Sequence, residues 1–354
     1  MNEVYLAGRG LASALGPDVA SALVSLAQGG VPPRRFELAD GSAWPLYSMA
    51  DDEPDWPTRT RCITQRVAAE SGALAGARSG PLFIASSSLD IGWLEESHDF
   101  ERDYHQFAET VAGWLDWRGP VFTASTACTS ALNAVLSART LIRSGQADHA
   151  LVLGMELRNR VTVGGFGGMQ LLSATGALPF GEARNGLVLG EAVAALHLSS
   201  TPSRWRVAGG ANVVDGRDPA GTVPSAVIAM CRQALASSGL QVGDIALIKP
   251  QAAGGVGSDA TEAQALCEVF SSLPPLVSFK ASIGHTLGAS GAAELALLTA
   301  SLEAGVWPRI DYAQDSSLNA ELSKHAPQHA RHVLASILGF GGGHTAVVLE
   351  DHEA

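Results

Sequence analysis

One cysteine of the sequence lies where a thiol can become a nucleophile. Cys128 follows a short apolar run, Val121–Phe122, and precedes a segment whose apolar residues recur at three- and four-residue steps as far as Ile142. A thiol at the start of a helix faces unpaired backbone N–H groups and the positive end of the helix dipole, which favour thiolate. The pattern predicts a reactive cysteine of lowered pKa, although most free cysteines are simply small buried residues.

Two glycine-rich stretches of the C-terminal half could act on such a thiol. In KASIGHTLGASG (residues 280–291), Lys280 follows an apolar segment and His285 lies between closely spaced glycines. A lone histidine is usually structural, but a neutral imidazole in a tight loop can donate a hydrogen bond to developing charge. The second stretch, LGFGGGH (residues 338–344), is either a hairpin turn or a turn that directs N–H groups at an oxyanion.

The elements around these stretches alternate between strand and helix. The helix after Cys128 is followed by the apolar segment HALVLG (149–154), so this part forms a strand–helix–strand unit of a parallel sheet. After Ser203 the same order of elements begins again. We therefore expect an α/β fold of two successive halves, residues 1–202 and 203–354, related by internal duplication.

Composition narrows the class of protein. The net charge of −12 argues against a nucleic-acid surface, and no apolar run approaches the length of a membrane span. The first residues lack the basic and apolar regions of a secretory signal. The four cysteines are scattered without metal-ligand spacing. These features predict a reduced, cytoplasmic protein without a metal site.

Five stretches, taken in order, resemble the β-ketoacyl-acyl-carrier-protein synthases, which are condensing enzymes of the thiolase fold. They are TACTSALNAVLSARTLIRSG around Cys128, LPFGEARNGLVLGEAVAAL (178–196), SDATEAQAL (258–266), KASIGHTLGASGAAE and LGFGGGH. The resemblance covers nearly the whole chain. It implies two duplicated βαβαβαββ-type halves in a five-layered αβαβα architecture. It also implies an active site between the halves and a dimer whose sheets extend across the interface.

The resemblance assigns a role to individual residues. Cys128 would take an acyl group from acyl carrier protein, and its N–H and that of the gate residue Phe340 would form the oxyanion hole. His285 would stabilise the enolate left when malonyl carrier protein loses carbon dioxide. Lys280 and Glu262 would hold the charge network and the loop geometry. Gly341, Gly342 and His344 are further candidates for the pocket. No metal or diffusible cofactor is implied, because the substrates are carried on phosphopantetheine.

The sequence departs from the family pattern at one catalytic position. The family's first histidine is replaced by Gln251, which can donate an N–H but cannot act as a base or carry a positive charge. Three functions therefore stay open. The first is a divergent condensing enzyme, which we favour because the chain keeps the cysteine. The second is a mainly non-catalytic subunit resembling a chain-length factor, and the third is a cysteine acyltransferase that does not condense.

The resemblance also implies protein partners. These are acyl carrier protein and a second chain, in a homodimer or in a heterodimer with another ketosynthase subunit. Because carrier protein is acidic, its docking surface is expected to be basic despite the overall charge of this chain. Candidate docking residues are Arg59, Arg61, Arg66 and Arg118. An ordinary solvated helix face is the alternative interpretation of this cluster.

Overall fold

The structure is a computed structural model that describes residues 1–50, 53–99, 103–217 and 221–354. The strands are β1 (Tyr5–Ser13), β2 (Arg34–Glu37), β3 (Ala43–Tyr47), β4 (Leu82–Ala85), β5 (Val121–Ala124), β6 (His149–Glu156), β7 (Leu189–Gly190), β8 (Ala192–Ser199), β9 (Trp205–Val214), β10 (Leu247–Lys249), β11 (His332–Leu338) and β12 (Gly343–Asp351). The helices are α1 (Val19–Ala27), α2 (Trp56–Glu70), α3 (Ile91–Ser97), α4 (Tyr104–Trp114), α5 (Ser130–Arg143), α6 (Arg160–Gly168), α7 (Pro224–Ser238), α8 (Val256–Val269), α9 (Lys280–Ile283) and α10 (Ser290–Ala304).

The main sheet repeats one strand order on either side of its centre. Within the described residues its order is β10-β11-β12-β9-β1-β8-β6-β4-β5. Outward from the centre, β1, β8, β6 and β4 correspond to β9, β12, β11 and β10, with the same antiparallel, antiparallel and parallel pairings. The counterpart of β5 is reduced to a bridge between Ile248 and Leu276. The sheet is the duplicated α/β arrangement that the sequence predicts.

Helices cover both faces of each half-sheet. Successive strand residues point to opposite faces: Ala150 and Val152 of β6 join the core around α5 and α10, whereas Leu151 and Leu153 join the core formed with α2 and α4. In the second half, Val347 faces the shared central core and the residues beside it face α7 and α8. The result is five layers, with α5 and α10 in the middle between the half-sheets.

Candidate active site

Cys128 sits on a tight turn between β5 and α5. Ala127 has a positive φ of 53°, which non-glycine residues adopt rarely. The hydroxyl of Ser130 stabilises the turn by accepting from the Thr126 N–H at 2.9 Å and donating to the Ala127 carbonyl at 2.6 Å. The thiol is directed into the interior, since Cys128 is only 5% exposed. Cys128 lies just before the first turn of α5, which begins at Ser130, as the sequence pattern predicts.

His285 and Gln251 lie beside this thiol. The Nε2 atom of His285 is 3.1 Å from Cys128 Sγ and 3.4 Å from Gln251 Nε2, while its Nδ1 is 3.0 Å from Ser290 Oγ. The segment that contains β7 fixes the histidine backbone on both sides, because the His285 N–H donates to the Val188 carbonyl at 2.7 Å and the His285 carbonyl accepts from the Gly190 N–H at 3.0 Å. Three residues far apart in sequence thus line one cavity, with His285 in contact with both the thiol and the Gln251 amide.

Burial controls the charge of this pair. It raises the pKa of Cys128 to about 12, and Glu156 adds to the rise, against hydrogen bonding from the backbone N–H groups of Phe340 and Cys128 itself. Burial also lowers the pKa of His285 well below its ordinary value, and Lys280 and Lys249 lower it further. The resting pair is therefore a neutral thiol and a neutral imidazole. The expected low thiol pKa was wrong, because loss of solvent outweighs the helix N-terminus.

The glycine-rich turn between β11 and β12 presents Phe340 to the cysteine. Gly341 and Gly342 have positive φ angles of 80° and 73°. The ring of Phe340 stacks on that of Phe166 from α6, with centroids 5.4 Å apart and planes at 13°. The turn thus brings the Phe340 N–H near the sulfur and puts Phe340 in the wall of the cavity that contains Cys128.

The cysteine lies in a small cavity of about 60 Å³. A larger cavity of about 450 Å³ lies next to it, and Leu187, Thr222, Ser258 and Phe340 contribute to the walls of both. Among the described residues, the walls of the inner cavity are formed by Cys128, Phe166, Leu187, Thr222, Gln251, Ala253, Ser258, His285, Leu338, Gly339 and Phe340.

Three candidate pocket residues lie elsewhere. Gly341, Gly342 and His344 do not line the inner cavity. Neighbouring side chains of β12 point to opposite faces of the sheet. The Thr345 hydroxyl donates to Asn133 of α5, so Thr345 is on the face that packs against the helix after Cys128. The imidazole of His344 therefore points to the opposite face, where it is fully buried with no hydrogen-bond partner for either ring nitrogen among the described residues. His344 pairs across the ladder with Leu338, which does line the cavity, so a role for His344 in the pocket stays a prediction.

Two buried carboxylates hold the loop that carries Gln251. Glu262 accepts the N–H groups of Gln251 and Ala252, both at 2.8 Å, and Asp259 accepts those of Ala253 and Gly254 at 3.1 to 3.2 Å. Ala252 is held at a strained φ of 27°. Burial raises the pKa of Glu262 to about 7 and that of Asp259 to about 6. Glu262 thus fixes the geometry of the loop around Gln251.

Sequence reasoning missed three charged residues near the site. Lys280 pairs with Glu294 of α10, and Lys249 pairs with the other oxygen of that carboxylate at 2.7 Å. Glu156 accepts the N–H groups of Ser87, Ser88 and Gly288 at 2.9 to 3.0 Å. Two signals were available in the sequence. Glu156 is a charged residue at the end of the otherwise apolar strand β6, and Lys249 ends the apolar strand β10.

The proposed arginine cluster is not one surface. Arg59 is 3% exposed and pairs with the buried Glu191 at 2.9 Å, so its assignment to a docking surface is wrong. Its position on the inner face of α2 explains this burial. Arg61 and Arg66 are exposed on the same helix, and Arg118 is exposed beside Asp116 at 3.5 Å.

Comparisons with known proteins identify the family of this chain. The sequence models of the β-ketoacyl synthase N-terminal and C-terminal domains match residues 88–203 and 206–311. The chain belongs to the β-ketoacyl synthase family. Within the described residues of this family member, no group of three or more His, Cys, Asp or Glu side chains is arranged to hold a metal ion. The same part of the chain contains no helix with the length and hydrophobicity needed to cross a bilayer.

Relatives in this family include much longer proteins. Lovastatin diketide synthase mokB of Monascus pilosus is 31% identical over 258 residues, which cover 64% of this chain and 10% of that protein. The chloroplastic 3-oxoacyl-[acyl-carrier-protein] synthase II of Arabidopsis thaliana is 29% identical over 263 residues, which cover 68% of this chain and 49% of that protein. The chain thus spans about a tenth of the first and about half of the second.

One solved structure matches this chain over nearly the whole length of both chains. It is the ketosynthase ApeO in complex with its chain length factor ApeC from Xenorhabdus doucetiae, with a TM-score of 0.87 and 26% identity, covering 99% of this chain and 98% of that chain. The expected thiolase-like fold is confirmed by this match.

Proposed function

We propose that this chain is a β-ketoacyl-acyl-carrier-protein synthase, active in fatty-acid or polyketide-type biosynthesis. It would join an acyl group held on Cys128 to malonyl carrier protein. The observation that supports this most strongly is the 3.1 Å contact between Cys128 Sγ and His285 Nε2, and the backbone N–H groups of Cys128 and Phe340 act on the same thiol by lowering its pKa. A nucleophile, a base and two donors for an oxyanion surround one point.

Acyl transfer begins with the neutral pair. Because the pKa of Cys128 is about 12, the thiol gives its proton to His285 Nε2 as the sulfur attacks the thioester carbonyl of acyl carrier protein. The N–H groups of Cys128 and Phe340 hold the tetrahedral oxyanion. Its collapse breaks the carbon–sulfur bond of the donor thioester, and the departing pantetheine sulfur takes the proton back from His285. The acyl group is then bound to Cys128.

Condensation follows when malonyl carrier protein enters. Its carboxylate leaves as carbon dioxide, and the electron pair of the broken carbon–carbon bond forms an enolate on the thioester oxygen. That oxygen receives hydrogen bonds from the Gln251 amide and from His285 in its Nε2–H tautomer. Either neutral tautomer is available, because the Ser290 hydroxyl can accept from or donate to Nδ1. The enolate carbon attacks the acyl carbonyl, and Cys128 leaves as a thiolate that is reprotonated by solvent.

The two cavities suggest how carrier-bound substrates enter. Phosphopantetheine would pass along the larger space of about 450 Å³ and reach Cys128 once Phe340 has moved off Phe166. These steps use an acyl thioester, a malonyl thioester and groups of this chain. They call for no metal or diffusible cofactor.

Acyl carrier protein and a second chain are the proposed partners. Arg61, Arg66 and Arg118 stay candidates for carrier docking because their side chains are exposed. Strand β5 ends the main sheet, so a second copy or another ketosynthase subunit could extend the sheet at that edge.

A mainly non-catalytic subunit like a chain-length factor is the second candidate. The observation that favours it is Gln251 at the place of the family's first histidine, since a positioned catalytic group is worth about 10²- to 10⁴-fold in rate. Similarity to a ketosynthase solved with its chain length factor suits either role. A cysteine acyltransferase without condensation is the third candidate, because it would need only Cys128 and His285.

The test is the appearance of product from two carrier-bound substrates. Acyl carrier protein and ¹³C-labelled malonyl carrier protein are incubated with the wild type, with Cys128→Ala and with His285→Ala, and the carriers are analysed by mass spectrometry. A labelled 3-oxoacyl carrier protein from the wild type alone supports condensation. An acylated wild type that gives no product supports the acyltransferase or a missing partner, and absence of acylation supports the non-catalytic subunit.

A further inference from the structure

Glu294 of α10 is shared by two lysines. Its Oε2 accepts from the Lys249 ammonium at 2.7 Å, and its Oε1 accepts from the Lys280 ammonium. Lys249 also donates to the carbonyl of Ser336 in β11 at 2.8 Å. The three charged side chains are at most 1% exposed. Lys249 therefore joins β10, α10 and β11 in a region closed to solvent.

The cluster carries more positive than negative charge. The two ammonium groups share one carboxylate, that of Glu294, and the second carboxyl that acts on Lys249, that of Glu262, has a pKa raised to about 7 by burial and is only partly charged at neutral pH. Lys280 with Glu294 would already be a balanced pair, so Lys249 creates the excess. A buried, incompletely compensated charge costs stability, and apolar replacements of buried ion pairs are often neutral or stabilising. Lysine is also rare in this chain, whose only other lysine is Lys324. Stability does not account for Lys249, and an electrostatic role does.

The cluster lies close to the reacting groups along the chain. Glu294 is one helical turn after Ser290, whose hydroxyl is 3.0 Å from His285 Nδ1. Lys280 opens the short helix α9, which leads directly into His285. Both Lys280 and Lys249 act on the imidazole strongly enough to lower its pKa beyond the effect of burial. The excess charge is therefore felt at the histidine that contacts the nucleophile.

We propose that Lys249 is a positioning residue for the condensation proposed above, on which this inference rests. Its excess positive charge stabilises the negative charge that develops on Cys128 and beside His285 during the reaction. Gln251, two residues further along the chain, cannot supply such a charge because an amide is neutral. Lys249 acts through the field at the site and forms no bond to the substrate.

The proposed effect depends on pH. The pKa of Lys249 is lowered to about 8. Burial and the charge of Lys280 lower this pKa, and the carboxylates of Glu294 and Glu262 raise it. Below that pKa the ammonium is charged, and as pH rises through it the charge is lost. The contribution of Lys249 to the reactivity of Cys128 should therefore be present at pH 7 and absent at pH 9.5.

The experiment measures the reactivity of the thiol itself. Lys249→Met removes the charge at similar length and leaves Lys280 paired with Glu294. The probe is iodoacetamide, and the rate of Cys128 alkylation is followed by peptide mass mapping at pH 7 and at pH 9.5. We expect alkylation at pH 7 to slow about tenfold, the change that corresponds to one unit of pKa. Lys324→Met, at an exposed lysine, is the matched control and should leave the rate unchanged.

A charge-retaining variant guards against a purely structural effect. Lys249→Arg should keep most of the wild-type alkylation rate at pH 7. Equal slowing in the Arg and Met variants, slowing of the same size at pH 9.5, or an unchanged rate in Lys249→Met would each overturn the proposal. Alkylation requires no carrier protein and no condensation, so this result stands apart from the fate of the proposed function.

Discussion

Replacing Gly342 with alanine should disturb the turn that presents the Phe340 N–H to Cys128. A Cβ on Gly342 would lie 1.7 Å from the carbonyl oxygen of Asp215, whereas real Cβ contacts essentially never fall below 3.0 Å. The backbone would have to separate by more than 1 Å, and both atoms are main chain. The Asp215 N–H donates to the Gly342 carbonyl at 2.9 Å, so this hydrogen bond would be strained as well.

The neighbouring glycine provides a matched control. Gly341 also has a positive φ, of 80°, but a Cβ there would have nothing within 4 Å. Gly341→Ala therefore carries only the cost of the left-handed backbone, roughly 1–2 kcal/mol. Gly342→Ala carries a similar cost plus the displacement of Phe340. Loss of one oxyanion donor lowers rates about 10²- to 10³-fold.

The assay is the rate at which Cys128 acquires an acyl group from acyl carrier protein, measured by intact mass for both variants and the wild type. Urea unfolding of each variant checks that the protein is folded. We expect Gly342→Ala to be at least about 10²-fold slower than Gly341→Ala. Equal acylation rates in two folded variants would refute the assignment of this turn to the oxyanion.

Three further predictions concern the charge and protonation of buried groups. Gln251→His should raise the condensation rate by about 10²-fold while leaving acylation of the cysteine unchanged, because only the enolate step gains a stronger donor; equal rates of product formation would contradict this. Arg59→Met should lower the free energy of unfolding by about 3 kcal/mol, since it leaves the buried Glu191 carboxylate with only the more distant Arg158, at 3.7 Å, as an ionic partner, whereas Arg61→Met on the exposed face should change it little; denaturant titration measures both. Because the folded-state pKa of Glu262 is raised to about 7 from 4.5, the folded protein holds a proton that the unfolded chain has released, and stability falls as pH rises from about 4.5 to 7. Glu262→Gln should flatten this part of the stability curve, and an unchanged slope between pH 5 and pH 8 would show that the carboxyl does not titrate there.

Periodicity and motif order were enough to predict the architecture. The apolar repeat of α5 placed Cys128 just before a helix, and the repeated element order anticipated the symmetric sheet. Sequence spacing could not reveal that His285 contacts both the thiol and the Gln251 amide, because these contacts depend on tertiary packing. The stretches carrying these residues pointed to the site only when taken together.

The wrong expectations both concern burial. Arg59 has a charged side chain, and the sequence does not state which face of α2 carries it. The pKa of Cys128 was misjudged because a helix N-terminus favours thiolate only when solvent or a cation compensates the burial. The lysine at the end of β10 was visible in the sequence, but its pairing with Glu294 depends on tertiary packing and was therefore missed.

The central claim is that Cys128 carries the acyl group and gives it up to a carbon–carbon bond. The most direct measurement is a single-turnover chase followed by intact-mass spectrometry of this chain, first with acyl carrier protein and then with malonyl carrier protein. We predict an acyl adduct on the wild type that is absent from Cys128→Ala, and its loss at the rate at which 3-oxoacyl carrier protein forms. An adduct that persists after malonyl carrier protein is added, or no adduct with any acyl chain length, would contradict the claim.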